Sequence, residues 1–425
     1  MPGRPVLARL RSFRLTRRGW AVLVVAGAIL AAAIVFDRRE GFVVTVFLVS
    51  LLVVAGVFVT ARRARVEVSR RPSSELLAVG EEARITLAVR TDSWDPTITR
   101  WRDSIPASFG SAPEGTADSL VRSGVAGLAR TAYAVRPERR GDHVLGPLVV
   151  VREDPFGLVE MERASRGTGS VVVTPRVSPL VRSELLQASG EGARHEHRMS
   201  SHPRVDELIA REYRTGDPLR RIHWRATARR GELMVRQEEQ EVDPVALLLL
   251  DTATTPDGST LVPDAVFERM VDLTASIAVH ILDAGFRLTL VESVPAESGA
   301  PERFEPSQGS DVLRRLAVVA PTRRTQDAPD IAVVGRELLD RAGAPVPFIV
   351  VLADASTATA RRLSSLGRLA DPAIAFVPVD SVSGEGADAL RSAGWIVGAV
   401  DAARDVADLW NVTVLVERGR PVEVR

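Results

Sequence analysis

Along the chain the pattern of apolar and polar positions changes character three times. It opens with two uncharged apolar runs, residues 20–36 and 41–60, separated only by Asp37, Arg38, Arg39 and Glu40. A helix crosses the hydrocarbon core of a bilayer in about 17–25 residues, so each run is long enough to span one. A cleavable leader would account for the first run alone. The second, after so short a turn, predicts an uncleaved hairpin of two transmembrane helices. Arg4, Arg9, Arg11, Arg14, Arg17 and Arg18 precede the hairpin and Arg62, Arg63 and Arg65 follow it, which predicts both ends on the cytoplasmic side of the cell membrane. Trp20 suits an interfacial anchor.

From residue 66 to about 180 the period falls to two. Alternation at 65–69 and 83–90, with Ile85, Leu87 and Val89 on one face, predicts half-buried strands, and further strands are expected at 129–135, 143–152 and 169–174. Gly, Pro, Asp and Ser clusters separate them, and a small all-β sandwich is the natural architecture. Within it Asp154-Pro155-Phe156-Gly157-Leu158 reads as a structural corner. Pro155 fixes φ, Gly157 permits positive φ, and Phe156 and Leu158 are expected to pack back on a sheet.

Beyond residue 242 the pattern becomes that of an α/β domain. The run VALLLL at 245–250 predicts a parallel strand buried on both faces. Residues 262–284 carry helical periodicity closed by Gly285, and 287–292 reads as the next strand. Strands at 347–352, 373–379 and 395–400 and a helix at 357–370 extend this to a doubly wound, mainly parallel sheet. Ligands bind such sheets outside the carboxyl ends of the strands, which singles out Asp251, Asp354 and Asp380.

Residues 181–241 join the two regions, so the expected organisation is an arm and hairpin at 1–65, the β domain at 66–180, this linker, and the α/β domain at 242–425. Residues 189–203 are polar, and their His195, His197 and His202 lack the thiolate or carboxylate spacing of a metal site. In the segment 209–241, Asp217 is placed as an N-cap, Pro218 as the first helical residue and Gly231 as a terminator, with a strand at 232–237. Leu219, Ile222 and Ala226 share one face of that helix, and Arg221 and Arg225 another. Arg211, Arg214, Arg220, Arg221, Arg225, Arg229, Arg230 and Arg236 interleave with Glu212, Asp217, Glu232, Glu238, Glu239 and Glu241. Such a segment reads as an ion-pair network locking two domains, with Tyr213 and Trp224 as packing anchors. It also suits recognition of an acidic segment or a phosphate by bidentate arginines. Acid/base work by Glu212, Asp217 and His223 is a third reading, but no nucleophile with an oriented base can be assembled.

Composition narrows the classes further. With 55 basic and 54 acidic residues the chain does not resemble a nucleic-acid binder driven by counterion release. Lysine is absent, so every cation is an arginine, and the absence of cysteine removes disulfides, thiolate metal sites and a cysteine nucleophile. There is no Gly-x-x-x-x-Gly-Lys phosphate loop.

The sequence R-E-Y-x-x-G-D-P-L-R-R-I-H-W-R-A-T-A-R-R-G-E-L at 211–233, with D-P-F-G-L at 154–158 and the N-terminal hairpin, resembles the domain of unknown function 58 family. Arg211, Glu212, Tyr213, Gly216, Asp217, Arg220, Arg221, Trp224, Arg225 and Arg229 carry the resemblance. It implies a bacterial membrane-anchored protein with a von Willebrand factor A-like domain after the motif. It also implies pairing with a MoxR-type AAA+ ATPase and, in some cases, a transglutaminase-like membrane protein. Von Willebrand A domains place an Asp-x-Ser-x-Ser motif for a hard cation such as Mg²⁺ after the first strand. This chain reads Asp251-Thr252-Ala253-Thr254-Thr255: Asp251 matches, Thr255 can replace the second hydroxyl, and Ala253 offers no oxygen. Asp354 is the candidate for the later acidic ligand. The expected function is a membrane-tethered assembly adaptor whose partner hydrolyses ATP. The alternatives are a metal-dependent hydrolase using Asp251 and Asp354, and an anion or phospho-ligand sensor at the arginine-rich junction.

Overall fold

A computed structural model of the chain describes residues 11–61, 66–91, 98–122, 128–165, 167–182, 210–212, 222, 224–236, 244–255, 259–294, 301–323 and 330–416. The chain forms two units, Met1–Thr174 and Pro175–Arg425.

The first unit opens with a strand, β1 (Arg11–Leu15), followed by two helices, α1 (Arg17–Val35) and α2 (Arg39–Ala61), which cover both apolar runs. Both helices are long and apolar enough to cross a membrane. Thr16 caps α1 by accepting a hydrogen bond from the Gly19 amide at 3.1 Å. The helices meet through small residues. Ala26 and Ala33, seven apart on α1, are buried, and a Cβ on Gly41 would press on the Cβ of Ala33. Thr45 donates to the Gly41 carbonyl at 2.9 Å, so its hydroxyl is satisfied within α2. Val24, Ile34, Val43, Phe47 and Val54 face outward and are exposed.

The β-rich remainder comprises β2 (Val66–Pro72), β3 (Leu77–Ala78), β4 (Ala83–Thr91), β5 (Ile98–Asp103), β6 (Glu114–Thr116), β7 (Val121–Arg122), β8 (Leu128–Val135), β9 (Gly141–Leu145), β10 (Leu148–Glu153), β11 (Val159–Ala164) and β12 (Gly169–Thr174). They form a five-stranded sheet β1-β11-β10-β5-β6, a four-stranded sheet β2-β4-β8-β7 and a three-stranded sheet β3-β12-β9. Val66, Val68, Leu87 and Val89 share one core with Ile98, Trp101, Leu148 and Val150, so the inward face read from the alternation is the face that packs. A second core gathers Ile85, Val135, Leu145, Val171 and Val173.

The strand expected at 143–152 is two strands. Gly146 has φ +99° and Pro147 has no N–H to donate, so the ladder breaks between them and β9 and β10 enter different sheets. Beneath this break Arg70 and Asp103 form a buried bidentate pair at 2.6 and 2.9 Å, and the Tyr133 hydroxyl donates to Asp103 at 2.8 Å. Burial, and next the Asp103 charge, push the Tyr133 phenol well above its ordinary range, so it stays a neutral donor.

The second unit begins with residues 175–182, laid along a helix described below. A hairpin follows of β13 (Ala210–Glu212) and β14 (Met234–Arg236), with the short helix α3 (Trp224–Arg230) between them in the chain. The rest is an α/β domain: β15 (Val245–Leu250), β16 (Ala253–Thr254), α4 (Asp264–Asp283), β17 (Arg287–Glu292), β18 (Glu302–Phe304), α5 (Gly309–Ala317), β19 (Thr322–Arg323), α6 (Ile331–Ala342), β20 (Val346–Val351), α7 (Thr357–Leu363), β21 (Ala370–Pro378), α8 (Glu385–Ser392), β22 (Ile396–Val400) and α9 (Val406–Val416).

The main sheet runs β18-β17-β15-β20-β21-β22 and is parallel except for the edge strand β18. VALLLL is buried on both faces as expected: Ala246, Leu248 and Leu250 pack with α4, α5 and α9, and Leu247 and Leu249 with α6, α7 and α8. The helix expected at 357–370 is shorter. It stops at Leu363, a 3₁₀ turn spans Ser364–Leu366, and β21 already begins at Ala370. Residues 175–182 strap α4, with the Arg176 amide donating to Asp272 Oδ1 at 2.9 Å, the Ser178 amide to Ser276 Oγ at 3.0 Å, and Trp410 Nε1 to the Val181 carbonyl at 3.1 Å.

Candidate functional site

The strand order puts β15 and β20 side by side, and the helices that follow them lie on opposite faces of the sheet. Their carboxyl ends therefore flank a topological switch point, the crevice where α/β sheets hold ligands. Asp251 leaves β15 there and Asp354 follows β20. Asp251 is 5% exposed, and its carboxylate gathers the surrounding loops. Oδ1 accepts from Ser293 Oγ at 2.5 Å and from the Ala253 amide at 3.2 Å, and Oδ2 accepts from the Ala353 amide at 3.2 Å. Thr252 extends the network, its amide donating to Ser293 Oγ and its hydroxyl to the Val294 carbonyl, each at 3.0 Å. Three loop segments, after β15, β17 and β20, are held by one buried acid. Ser293 escaped the sequence reading because it lies 42 residues away and nothing local marks it.

The remaining cation candidates turn to other tasks. The Thr255 hydroxyl donates to the Ser259 carbonyl at 2.9 Å and lies 2.5 Å from Ser259 Oγ. Asp354 accepts from the Ser356 amide and hydroxyl at 2.9 and 2.8 Å and from the Thr359 hydroxyl at 2.9 Å, so it organises the start of α7. Asp380 sits in a 3₁₀ turn, Val379–Ser381. Ala253 supplies no oxygen, and among the described residues no group of three or more His, Asp or Glu is placed to hold a metal. In this arrangement the Asp251 carboxylate forms a hydrogen-bonded loop clamp. A further acid at this end of the sheet, Glu292, pairs with Arg315 of α5. Burial raises its pKa and the Arg315 charge opposes the rise.

Of the arginine-rich motif, Arg211 and Glu212 lie on β13 opposite Val235 and Met234. Tyr213, Gly216, Asp217, Pro218, Arg220, Arg221 and His223 lie outside the described residues, as do His195, His197 and His202. The expected terminator holds: Gly231, at φ +78°, donates its amide to the Thr227 carbonyl, and the Met234 amide returns to Thr227 Oγ1 at 3.0 Å. Arg225 lies within α3, and Arg229 is exposed in its last turn. Trp224 is 69% exposed, so it is not the packing anchor expected, whereas Met234 of β14 is 1% exposed.

The turn at 154–158 differs from expectation in one residue. Leu158 is buried, whereas Phe156 is 59% exposed. Asp154 accepts from the amides of Phe156, Leu158 and Val159 at 2.9, 2.7 and 2.6 Å, which fixes the corner, and Gly157 takes φ +66°. The turn clasps the hairpin. The Thr16 amide donates to the Leu158 carbonyl at 3.0 Å, the Thr16 hydroxyl donates to the Gly157 carbonyl at 2.6 Å, and a Cβ on Gly19 would overlap the Leu158 carbonyl oxygen.

The model of the family described as protein of unknown function DUF58 matches residues 209–368. The chain carries a DUF58 domain. The match takes in the β13–β14 hairpin, β15, β17, β20 and α7, and so both switch-point aspartates. The hairpin of apolar helices, the β-rich region, β21 and β22 lie outside the matched residues. A curated relative, the uncharacterized protein YeaD of Bacillus subtilis strain 168, is 25% identical over 324 residues, covering 71% of this chain and 75% of its own length. Among solved structures, a CARDB domain from Pyrococcus furiosus in complex with di-metal ions is 15% identical over 26% of this chain and 87% of its own, with a TM-score of 0.17. Cwp6 from Clostridium difficile is 10% identical over 82% of this chain and 56% of its own, also at 0.17. Overlays this loose say nothing of function. The DUF58 domain's own geometry is what remains, and its centre is the Asp251 clamp.

Proposed function

We propose that this protein is a membrane-tethered cytoplasmic adaptor. The apolar hairpin anchors it, the β-rich region forms a sandwich-type spacer, and the DUF58 domain, a von Willebrand A-like α/β fold in this reading, binds a protein partner at the loops around the switch point. The observation that carries the reading is the Asp251 clamp. A carboxylate whose two oxygens hold the loops after β15, β17 and β20 shapes a surface and is not left free for acid/base chemistry. The resemblance to DUF58 proteins points to a MoxR-type AAA+ ATPase as that partner, with a transglutaminase-like membrane protein as a further member of the assembly. In this reading the partner supplies the ATP hydrolysis.

Affinity capture of the full-length protein from gently solubilised membranes, with and without nucleotide, tests this. A nucleotide-dependent ATPase identified by mass spectrometry in the wild-type eluate, and lost with Ser293→Ala, is the expected result. An eluate without an ATPase under both conditions overturns it. A metal-dependent hydrolase remains the competing reading, favoured by the placement of Asp251 and Asp354 at the ends of neighbouring strands. It requires Mg²⁺ or Mn²⁺ binding by calorimetry that is lost in Asp251→Ala.

A further inference from the structure

We propose that the turn at 154–158 is a second membrane element: an interfacial anchor whose Phe156 seats at the boundary between lipid headgroups and acyl chains. The inference rests on the reading of α1 and α2 as membrane spans. It starts from helix lengths. At 1.5 Å per residue α1 is about 28 Å long and α2 about 34 Å, against a hydrocarbon core of about 30 Å. With the short connection at the far surface, the near boundary falls at the level of Arg17 on α1 and within the last turn of α2. Leu51, Leu52 and Ala55 then lie inside it, and these are residues that pack on Leu158 and Val159, together with Leu15 and Val22. The turn that holds Leu158 therefore cannot stand clear of the bilayer.

The chemistry of the turn agrees. Its single carboxylate, Asp154, is buried and points inward to three backbone amides, so the tip presents no acid of its own. Its exposed side chains are Pro155 and Phe156. Two more exposed aromatics, Phe13 at 52% and Trp20 at 57%, flank the start of the hairpin, and aromatic rings of this kind favour the headgroup level. Arg14, Arg17 and Arg18 are exposed beside them, where guanidinium groups can reach lipid phosphates while their stems lie along apolar surface. Glu153, next to the turn, lies close to Gly157, as does the Arg18 guanidinium. The turn's rigidity, with the hairpin clasped through Thr16 and Gly19, sets Phe156 at a fixed depth without further ordering.

The chain has no cysteine, so single-cysteine spin labels report without background. The full chain is reconstituted in vesicles of phosphatidylcholine and phosphatidylglycerol, and relaxation by oxygen, which concentrates in the bilayer, is compared with relaxation by a nickel chelate confined to water. Phe156→Cys is expected to be oxygen-favoured and shallower than Val25→Cys at mid-span, while Val144→Cys, an exposed apolar site on β9, is nickel-favoured. Pro155→Cys repeats the measurement with Phe156 in place. Nickel accessibility at 155 and 156 equal to that at 144, with Val25 still in lipid, overturns the anchor and keeps the tether; it is the result if the turn instead meets a protein. Nickel accessibility at Val25 overturns the membrane reading itself.

Discussion

At the scale of single residues the buried acids are used as fasteners, and one of them carries a pH signature. Asp272 holds the strap at 175–182 through the Arg176 amide, and its pKa is pushed up to about 6 from an ordinary 3.8. Burial is the largest cause, opposed by the Arg176 amide and by Arg269. A carboxyl with a raised folded-state pKa binds its proton more tightly when folded. Its contribution to stability is therefore full below about pH 4 and lost as pH rises through about 6. About 3 kcal/mol is at stake for a shift of this size. Asp272→Asn keeps an oxygen for the Arg176 amide and removes the titration. Chemical denaturation at a series of pH values should show the wild type losing stability relative to this variant between pH 4 and 7, and a constant difference would refute the assignment.

At the scale of elements, what matters is which helix surface tolerates a side chain. Gly19 and Gly27 occupy the same helix, and alanine is favoured over glycine in a helix interior by about 0.5–1 kcal/mol. A Cβ at Gly27 meets nothing within 4 Å, whereas at Gly19 it overlaps the Leu158 carbonyl oxygen. Gly27→Ala should hold or raise the unfolding temperature in detergent, and Gly19→Ala should lower it through overpacking worth about 1–3 kcal/mol. Equal effects at the two sites would mean that the clasp is not formed. The same scale shows what could be read in advance. The spans, the Ile85–Leu87–Val89 face, β15, β17 and the Gly285 stop were legible because each follows from local period or backbone freedom. Less was legible where the deciding contact is distant. Arg11–Leu15 reads as a cationic flank because its partner, β11, is nearly 150 residues away. Phe156 reads as a packing residue until the helix beside it is placed. Helices such as Glu385–Ser392, eight residues long, are too short for their period to stand out in the sequence.

At the scale of the whole molecule the reading turns on sidedness. The proposed orientation puts the short connection on the far side of the membrane and the β-rich region on the cytoplasmic side. Because cysteine is absent, Arg38→Cys and Val144→Cys can be compared directly in intact cells with a membrane-impermeant maleimide. Arg38→Cys should react at once, and Val144→Cys only after permeabilisation. The reverse pattern would invert the protein, place the DUF58 domain outside, and remove a cytoplasmic ATPase from its possible partners. For the site, Asp251 and Asp354 were found from strand ends alone, but the clamp that gives Asp251 its role needed Ser293 and Ala353, brought in by the fold.

The pairing of Arg11–Leu15 with Val159–Ala164 also governs how the protein can be made or cut. Arg11–Leu15 is an outer strand of a sheet whose next member is translated nearly 150 residues later, after both apolar helices. Any shortened version begun beyond the helices, the usual route to a soluble sample, strips that outer strand and leaves the backbone of Val159–Ala164 open along one side. An open strand edge recruits other strands. Aggregation of such a fragment would report a missing N-terminal arm, and would say nothing against the β-rich region as a folded unit in the intact chain.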